Sequence, residues 1–115
     1  MKTAPRYLRY PTQNPAAPEK GMAILLRADP NLDFPPGSHE ATIRVRPRWL
    51  PVVNFAEAVK ASVSFRGEHE LGGGNWTAGA ICVDGIPRAH VSYNGRLWAL
   101  NADGIEPKPS RELSF

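Results

Sequence analysis

The pattern of apolar and polar positions becomes regular only after residue 20. Before that, Pro5, Pro11, Pro15 and Pro18 interrupt every period. Proline removes a backbone donor and restricts the residue before it, so residues 1–20 hold neither a helix nor a central strand and read as an extended arm. Met22-Ala-Ile-Leu-Leu-Arg27 is an apolar run closed by Asp29-Pro30, the mark of a buried strand. Residues 29–40 are loop, with turn chemistry at Asp29-Pro30-Asn31 and Pro35-Pro36-Gly37-Ser38. Residues 41–46 alternate: Ile43 and Val45 point one way, while Thr42, Arg44 and Arg46 point the other, and Arg48 continues that face beyond Pro47. This predicts a half-buried strand that Pro47 ends or pushes to an edge.

Asn54-Phe55-Ala56-Glu57 has the form of a helix start, an N-cap followed three residues on by Glu. Phe55, Ala58 and Val59 would share one helix face. Residues 61–66, Ala-Ser-Val-Ser-Phe-Arg, alternate as a strand does. They also fit a helix running on to Arg66 and stopped by Gly67. The alternation predicts a short helix over 55–60 and then a strand over 61–66. A glycine-rich loop over 67–75 leads to strands at 76–83, 88–93 and 96–100, separated by Asp84-Gly85 and Asn94-Gly95. Asn-Gly is the strongest local hairpin signal, since both residues of a two-residue turn need positive φ. A two-residue turn would pair Tyr93 with Arg96, Val91 with Trp98 and Ala89 with Leu100, all on one face. On that register Trp98 is a core residue. From Asn101 the chain is turn-rich again.

The length, 115 residues, is that of one small domain. At 42% hydrophobic and 22% charged it is globular rather than disordered. No apolar run approaches the ~18 residues that cross a bilayer, so no membrane partner is expected. The charged, proline-bearing start is unlike a signal peptide, which places the protein in a cytoplasm or a virion. The single cysteine, Cys82, excludes a disulfide scaffold within the chain. The net charge is +3, and residues 1–20 alone carry that excess, leaving a near-neutral body. A nucleic-acid-binding domain usually carries its basic stripe on the folded part.

Catalytic and metal chemistry finds little support. Gly72-Gly73-Gly74 lacks the Gly-Lys-Ser/Thr ending of a phosphate loop. His39, His69 and His90 are too far apart for a finger or helical metal motif. Cys82, Asp84 and His90 lie close along the predicted meander, yet a lone strand cysteine is normally packing, and a reactive thiolate needs an electropositive setting. Asp29, Asp33 and Glu40 are explained by turn roles. The reading is therefore of a non-enzyme with no metal and no cofactor.

Two surfaces remain as candidate binding sites. Arg44, Arg46 and Arg48, on a regular strand, would lie on one side about 6.6 Å apart, where three like charges call for an acidic partner or a phosphate backbone. Arg6-Tyr7 and Arg9-Tyr10 in the arm interleave cations with aromatic rings, which suits base stacking or docking of an extended segment on a partner. The hairpin aromatics Trp76, Tyr93 and Trp98 form a third group of interest.

The segment Trp76-Thr-Ala-Gly79, followed by Val91-Ser-Tyr93-Asn-Gly-Arg-Leu-Trp98-Ala and Pro107, resembles the small chitin-binding type of carbohydrate-binding module. Similar modules recur in glycoside hydrolases and in bacteriophage tail and virion proteins. The resemblance covers residues 75–107. It implies an aromatic antiparallel hairpin and a carbohydrate partner. Cys82 stands where the family usually has Tyr, and the family's paired sugar-stacking aromatics would fall near Asn101-Ala102. The resemblance therefore speaks more for the hairpin than for sugar binding.

Together these readings predict a mainly β domain (α+β as the alternative), meander- or barrel-like, with one short helix and extended Pro-rich termini. The arm would span 1–20, the globular domain 21–107 and a tail 108–115. The expected function is a structural or adhesion accessory protein, of phage virion or tail type, that binds a protein partner or self-assembles. The alternative is a small intracellular protein engaging nucleic acid or a nucleic-acid-handling complex, such as a defence-system inhibitor, through the arginine face.

Overall fold

The computed structural model describes residues 14–100 and 107–114. It is mainly β. The strands are β1 (Met22–Ala28), β2 (Val45–Val52), β3 (Ala80–Val83), β4 (Ile86–Val91), β5 (Leu97–Leu100) and β6 (Pro107–Leu113). They form one antiparallel sheet in the order β2-β1-β3-β4-β5-β6. Between β1 and β2 lies a single helical turn, α1 (His39–Thr42), and between β2 and β3 the long helix α2 (Phe55–Glu68). The strand order leaves an open sheet with β2 and β6 at its edges, rather than a barrel. Pro47 and Pro51 lie on β2, and Pro107 and Pro109 on β6. Proline cannot donate to a ladder, so it is confined to edges and hinders pairing with another chain there.

Helix α2 corrects the expectation of a strand over 61–66. Asn54 caps it, with Oδ1 accepting the Glu57 N–H at 2.8 Å. Its buried residues are Ala58, Val59, Ser62 and Phe65, a helical spacing that the alternation in sequence concealed. Ser62 is the reason: its hydroxyl donates to the Val59 carbonyl at 2.9 Å, within the helix, and so it is buried at little cost. The helix runs through Gly67. It ends where Leu71 N–H donates to Arg66 O at 3.0 Å and Glu70 N–H to Gly67 O at 3.3 Å. That is a Schellman motif, with Glu70 at φ 51° where glycine is usual.

Of the two hairpin turns, Asp84-Gly85 is a turn as expected, whereas Asn94-Gly95 departs from the two-residue geometry expected of it. Asp84 and Gly85 both have positive φ, 52° and 81°, and form the two-residue turn joining β3 to β4. At Asn94-Gly95 only Gly95 is left-handed. Ser92 N–H donates to Arg96 O and Gly95 N–H to Ser92 O, both at 2.9 Å, which closes a three-residue loop of the bulged type. The register is therefore Val91 with Leu97, His90 with Trp98 and Ala89 with Ala99. One residue of slip turns every β5 side chain to the other face. Leu97 and Ala99 lie under α2 with Ala89 and Val91, and Trp98 faces away. The layer under α2 already holds the Phe65 and Trp76 rings, 6.5 Å apart, which leaves little room for a third large aromatic.

The main core lies between α2 and the sheet: Ile24, Leu26, Val52, Ala58, Val59, Phe65, Ile81, Ala89, Val91 and Leu97. Along β1 the alternate residues Ala23, Leu25 and Arg27 point to the helix-free face and are just as buried. Residues of the arm meet this end of the sheet at Arg27 and Trp49. The chain turns at Gly21, whose N–H donates to Asp84 Oδ1 at 2.7 Å. Residues 14–20 then fold back along β1: the Trp49 indole donates to Pro15 O at 2.8 Å and Arg27 Nη1 to Asn14 Oδ1 at 2.7 Å. At the other end, β6 occupies residues expected to form a tail.

Strand boundaries also move, most of all in β2 and β3. The strand expected at 41–46 begins at Val45 and continues through both prolines to Val52, because it is an edge strand. The strand expected from 76 begins only at Ala80. Gly79, at φ 104°, breaks it, and a Cβ there would collide with the Val91 carbonyl.

Candidate functional site

At the far end of the β1–β2 pair, Asp29, Arg44, Val45, Arg46 and Pro47 line a cleft of about 270 Å³. A β-bulge shapes it. Ala28 pairs with Val45 but Leu26 pairs with Arg48, so β2 carries one extra residue there. The bulge corrects the expected arginine row. Arg44 precedes the strand and Arg46 lies in the bulge, both lining the cleft, while Arg48 falls in phase with Val45 rather than with Arg46 and does not line it. Arg46 and Arg48 are exposed, and among the described residues neither side chain makes a hydrogen bond or ion pair.

Beneath the cleft, Arg27 and Asp29 form a buried pair, Nε to Oδ2 at 2.9 Å and Nη2 to Oδ1 at 3.4 Å. Asn14 Oδ1 accepts a third bond, from Arg27 Nη1 at 2.7 Å. A buried charge left unpaired is costly, and this one is satisfied on both sides. With Asp29 neutralised by Arg27, the cleft presents the Arg46 cation beside an apolar wall of Val45 and Pro47. Sequence reading missed this pair, taking Asp29 for a turn residue. The available signal was the i, i+2 spacing of Arg27 and Asp29 at the end of an apolar run, which places both on one strand face.

The hairpin aromatics separate. Trp76 and Tyr93 meet edge to face at 6.3 Å. The Tyr93 hydroxyl donates to Leu71 O at 3.0 Å, the Trp76 indole to Val91 O at 3.3 Å and Arg66 Nη1 to Tyr93 O at 2.7 Å, with the guanidinium 5.1 Å above the Tyr93 ring. Their polar ends are thus spent on joining the hairpin loop to the end of α2. Trp98 lies across the sheet from them, paired with His90. Arg6, Tyr7, Arg9 and Tyr10 lie outside the described residues.

Cys82 is buried on the helix-free face, and burial raises its thiol pKa, the opposite of what an activated thiolate needs. Asp84 is held by Gly21. Among the described residues no group of three or more His, Cys, Asp or Glu is placed to hold a metal ion, and no helix is long and apolar enough to cross a membrane. Comparisons with protein-family models, with curated proteins and with solved structures each found no match.

Proposed function

We propose that the protein is a non-enzymatic binding component of an assembly, and that the cleft at the β2 edge takes an anionic side chain from its partner. The observation that carries this reading is the cleft itself: the exposed Arg46 beside Val45 and Pro47, over an acid that Arg27 already neutralises. Its volume of about 270 Å³ falls below the roughly 300–1,000 Å³ of small-molecule pockets and suits a side chain. A guanidinium against an apolar wall favours a carboxylate carried next to an apolar group.

The test titrates the full chain with a capped peptide carrying aspartate beside phenylalanine. Binding is expected to weaken with salt and to be lost in Arg46→Gln. Binding that is absent, or indifferent to Arg46→Gln, rejects the reading. Duplex DNA forms a second arm of the test. Arg46-dependent DNA binding whose affinity falls with salt by a slope of about 0.9 per neutralised phosphate would replace the protein partner with nucleic acid.

A further inference from the structure

A second feature near the cleft is the loop between β1 and α1. Its base is tightly held. Asn31 N–H donates to Glu40 O at 2.6 Å. The fully buried Asn75 amide donates to Asp29 O and Glu40 O, each at 2.8 Å. His39 Nε2 donates to the carbonyls of His69 and Glu70 at 3.0 and 3.2 Å. Gly74 leaves the space that the Asn31 side chain occupies, since a Cβ there would collide with it. The apex is shaped from within, by Asp33 N–H on Asn31 Oδ1 at 3.0 Å and Phe34 N–H on Asn31 O at 3.3 Å.

This anchored apex presents apolar side chains to solvent, with Leu32 52% and Phe34 43% exposed. Asp33 stands between them, also exposed, and its carboxylate makes no hydrogen bond or ion pair among the described residues. A loop whose ends are fixed by five hydrogen bonds (those of the Asn31 N–H, the Asn75 amide and the His39 ring) loses little conformational entropy on docking. An acid flanked by two apolar side chains is the complement of a cleft with Arg46 beside Val45 and Pro47. Both features lie where β1 ends and β2 begins, and none of the apex residues lines the chain's own cleft.

We propose that the partner is a second copy of this chain. The Leu32-Asp33-Phe34 apex of each copy enters the cleft of the other, with Asp33 on Arg46. Reciprocal exchange of the same two surfaces makes a closed two-fold dimer. The proline-bearing sheet edges disfavour pairing by strand addition, which leaves side-chain docking as the route. A loop-in-cleft contact is small beside the ~800 Å² per partner of a standard interface, so the dimer is weak and concentration-dependent. This inference rests on the cleft reading above and names its partner.

Sedimentation velocity on the full chain across a wide concentration range tests it. The expected result is a reversible monomer–dimer equilibrium. D33R and R46D, each shown to be folded by circular dichroism and thermal melting, should each weaken it by roughly tenfold or more, through like-charge contact. The equimolar mixture of the two variants should dimerise again, because in the mixed pair each loop meets a cleft of opposite charge. A chain that stays monomeric throughout overturns the proposal. So does a dimer indifferent to either substitution, or a mixture of folded variants that does not recover. Failure of the two readings can be told apart. Arg46-dependent peptide binding by a monomeric chain removes the second copy as partner and keeps the cleft reading, whereas absence of both removes both.

Discussion

His90 illustrates how a strand position decides a side chain's chemistry. It lies half-buried on the helix-free face, paired with Ala80 on one side and Trp98 on the other, and burial lowers its pKa below the ordinary 6.5. The unfolded chain then binds the proton more readily than the folded one. This contribution to stability is fully present above about pH 6.5 and is lost as the pH falls toward the lowered folded value. Thermal melts compared between about pH 7.5 and 5 should show the wild type losing more stability than His90→Gln. Parallel curves would mean that the imidazole titrates as it does in the unfolded chain. Arg27 shows the same dependence on position. On the helix-free face it is tolerable only because Asp29 and Asn14 occupy its donors.

At the scale of elements, the β4–β5 hairpin sets the core through one choice of turn. The observed register buries Leu97 completely, while Trp98 is only half-buried on the opposite face. Leu97→Ala should therefore destabilise the domain by about 3 kcal/mol, within the usual range for a buried leucine. Trp98→Ala should cost clearly less than the ~3–5 kcal/mol of a core aromatic. Urea denaturation of the two variants decides it, and a larger loss for Trp98→Ala would restore the two-residue turn. Helix α2 carries the related lesson that a buried serine can satisfy its hydroxyl within its own helix. A polar position in an alternating segment is then no sign of a solvent face.

At the scale of the whole molecule, the sheet is covered on both faces, by α2 on one and in part by residues 14–20 on the other. A Pro-rich leader would ordinarily add little to a core, and on that view removing it should leave the melting temperature nearly unchanged. The contacts of Asn14 and Pro15 reverse that expectation. Deleting residues 1–20 removes an acceptor from the buried Arg27 guanidinium and another from the Trp49 indole, and with it the segment held against β1 and β2. The loss should be about 2–4 kcal/mol, combining re-exposed apolar surface with a lost hydrogen bond to a buried charge. Asn14→Ala should reproduce part of it. An unchanged melting temperature on deletion would show that the segment contributes nothing to stability.

Much of this protein follows from local chemistry alone. The apolar run of β1, the Asn54 cap, the Asp84-Gly85 turn and the mainly β class rest on propensities and steric rules that act within a few residues. The arginines of the cleft were visible as residue types. What remained open was decided by packing at a distance. Whether residues 61–66 form helix or strand depended on burial of Ser62 and Phe65 against a sheet formed by segments before and after them. The hairpin register depended on whether Leu97 or Trp98 fits beside Phe65 and Trp76. The arginine row was broken by a bulge that only the pairing of β2 with β1 defines. The docking of the arm, through Pro15 on Trp49 and Asn14 on Arg27, required segments that are not neighbours in sequence to meet. Local rules limit each segment to a few conformations, and the choice among them falls to the arrangement that buries the most apolar surface while leaving the fewest charges unpaired.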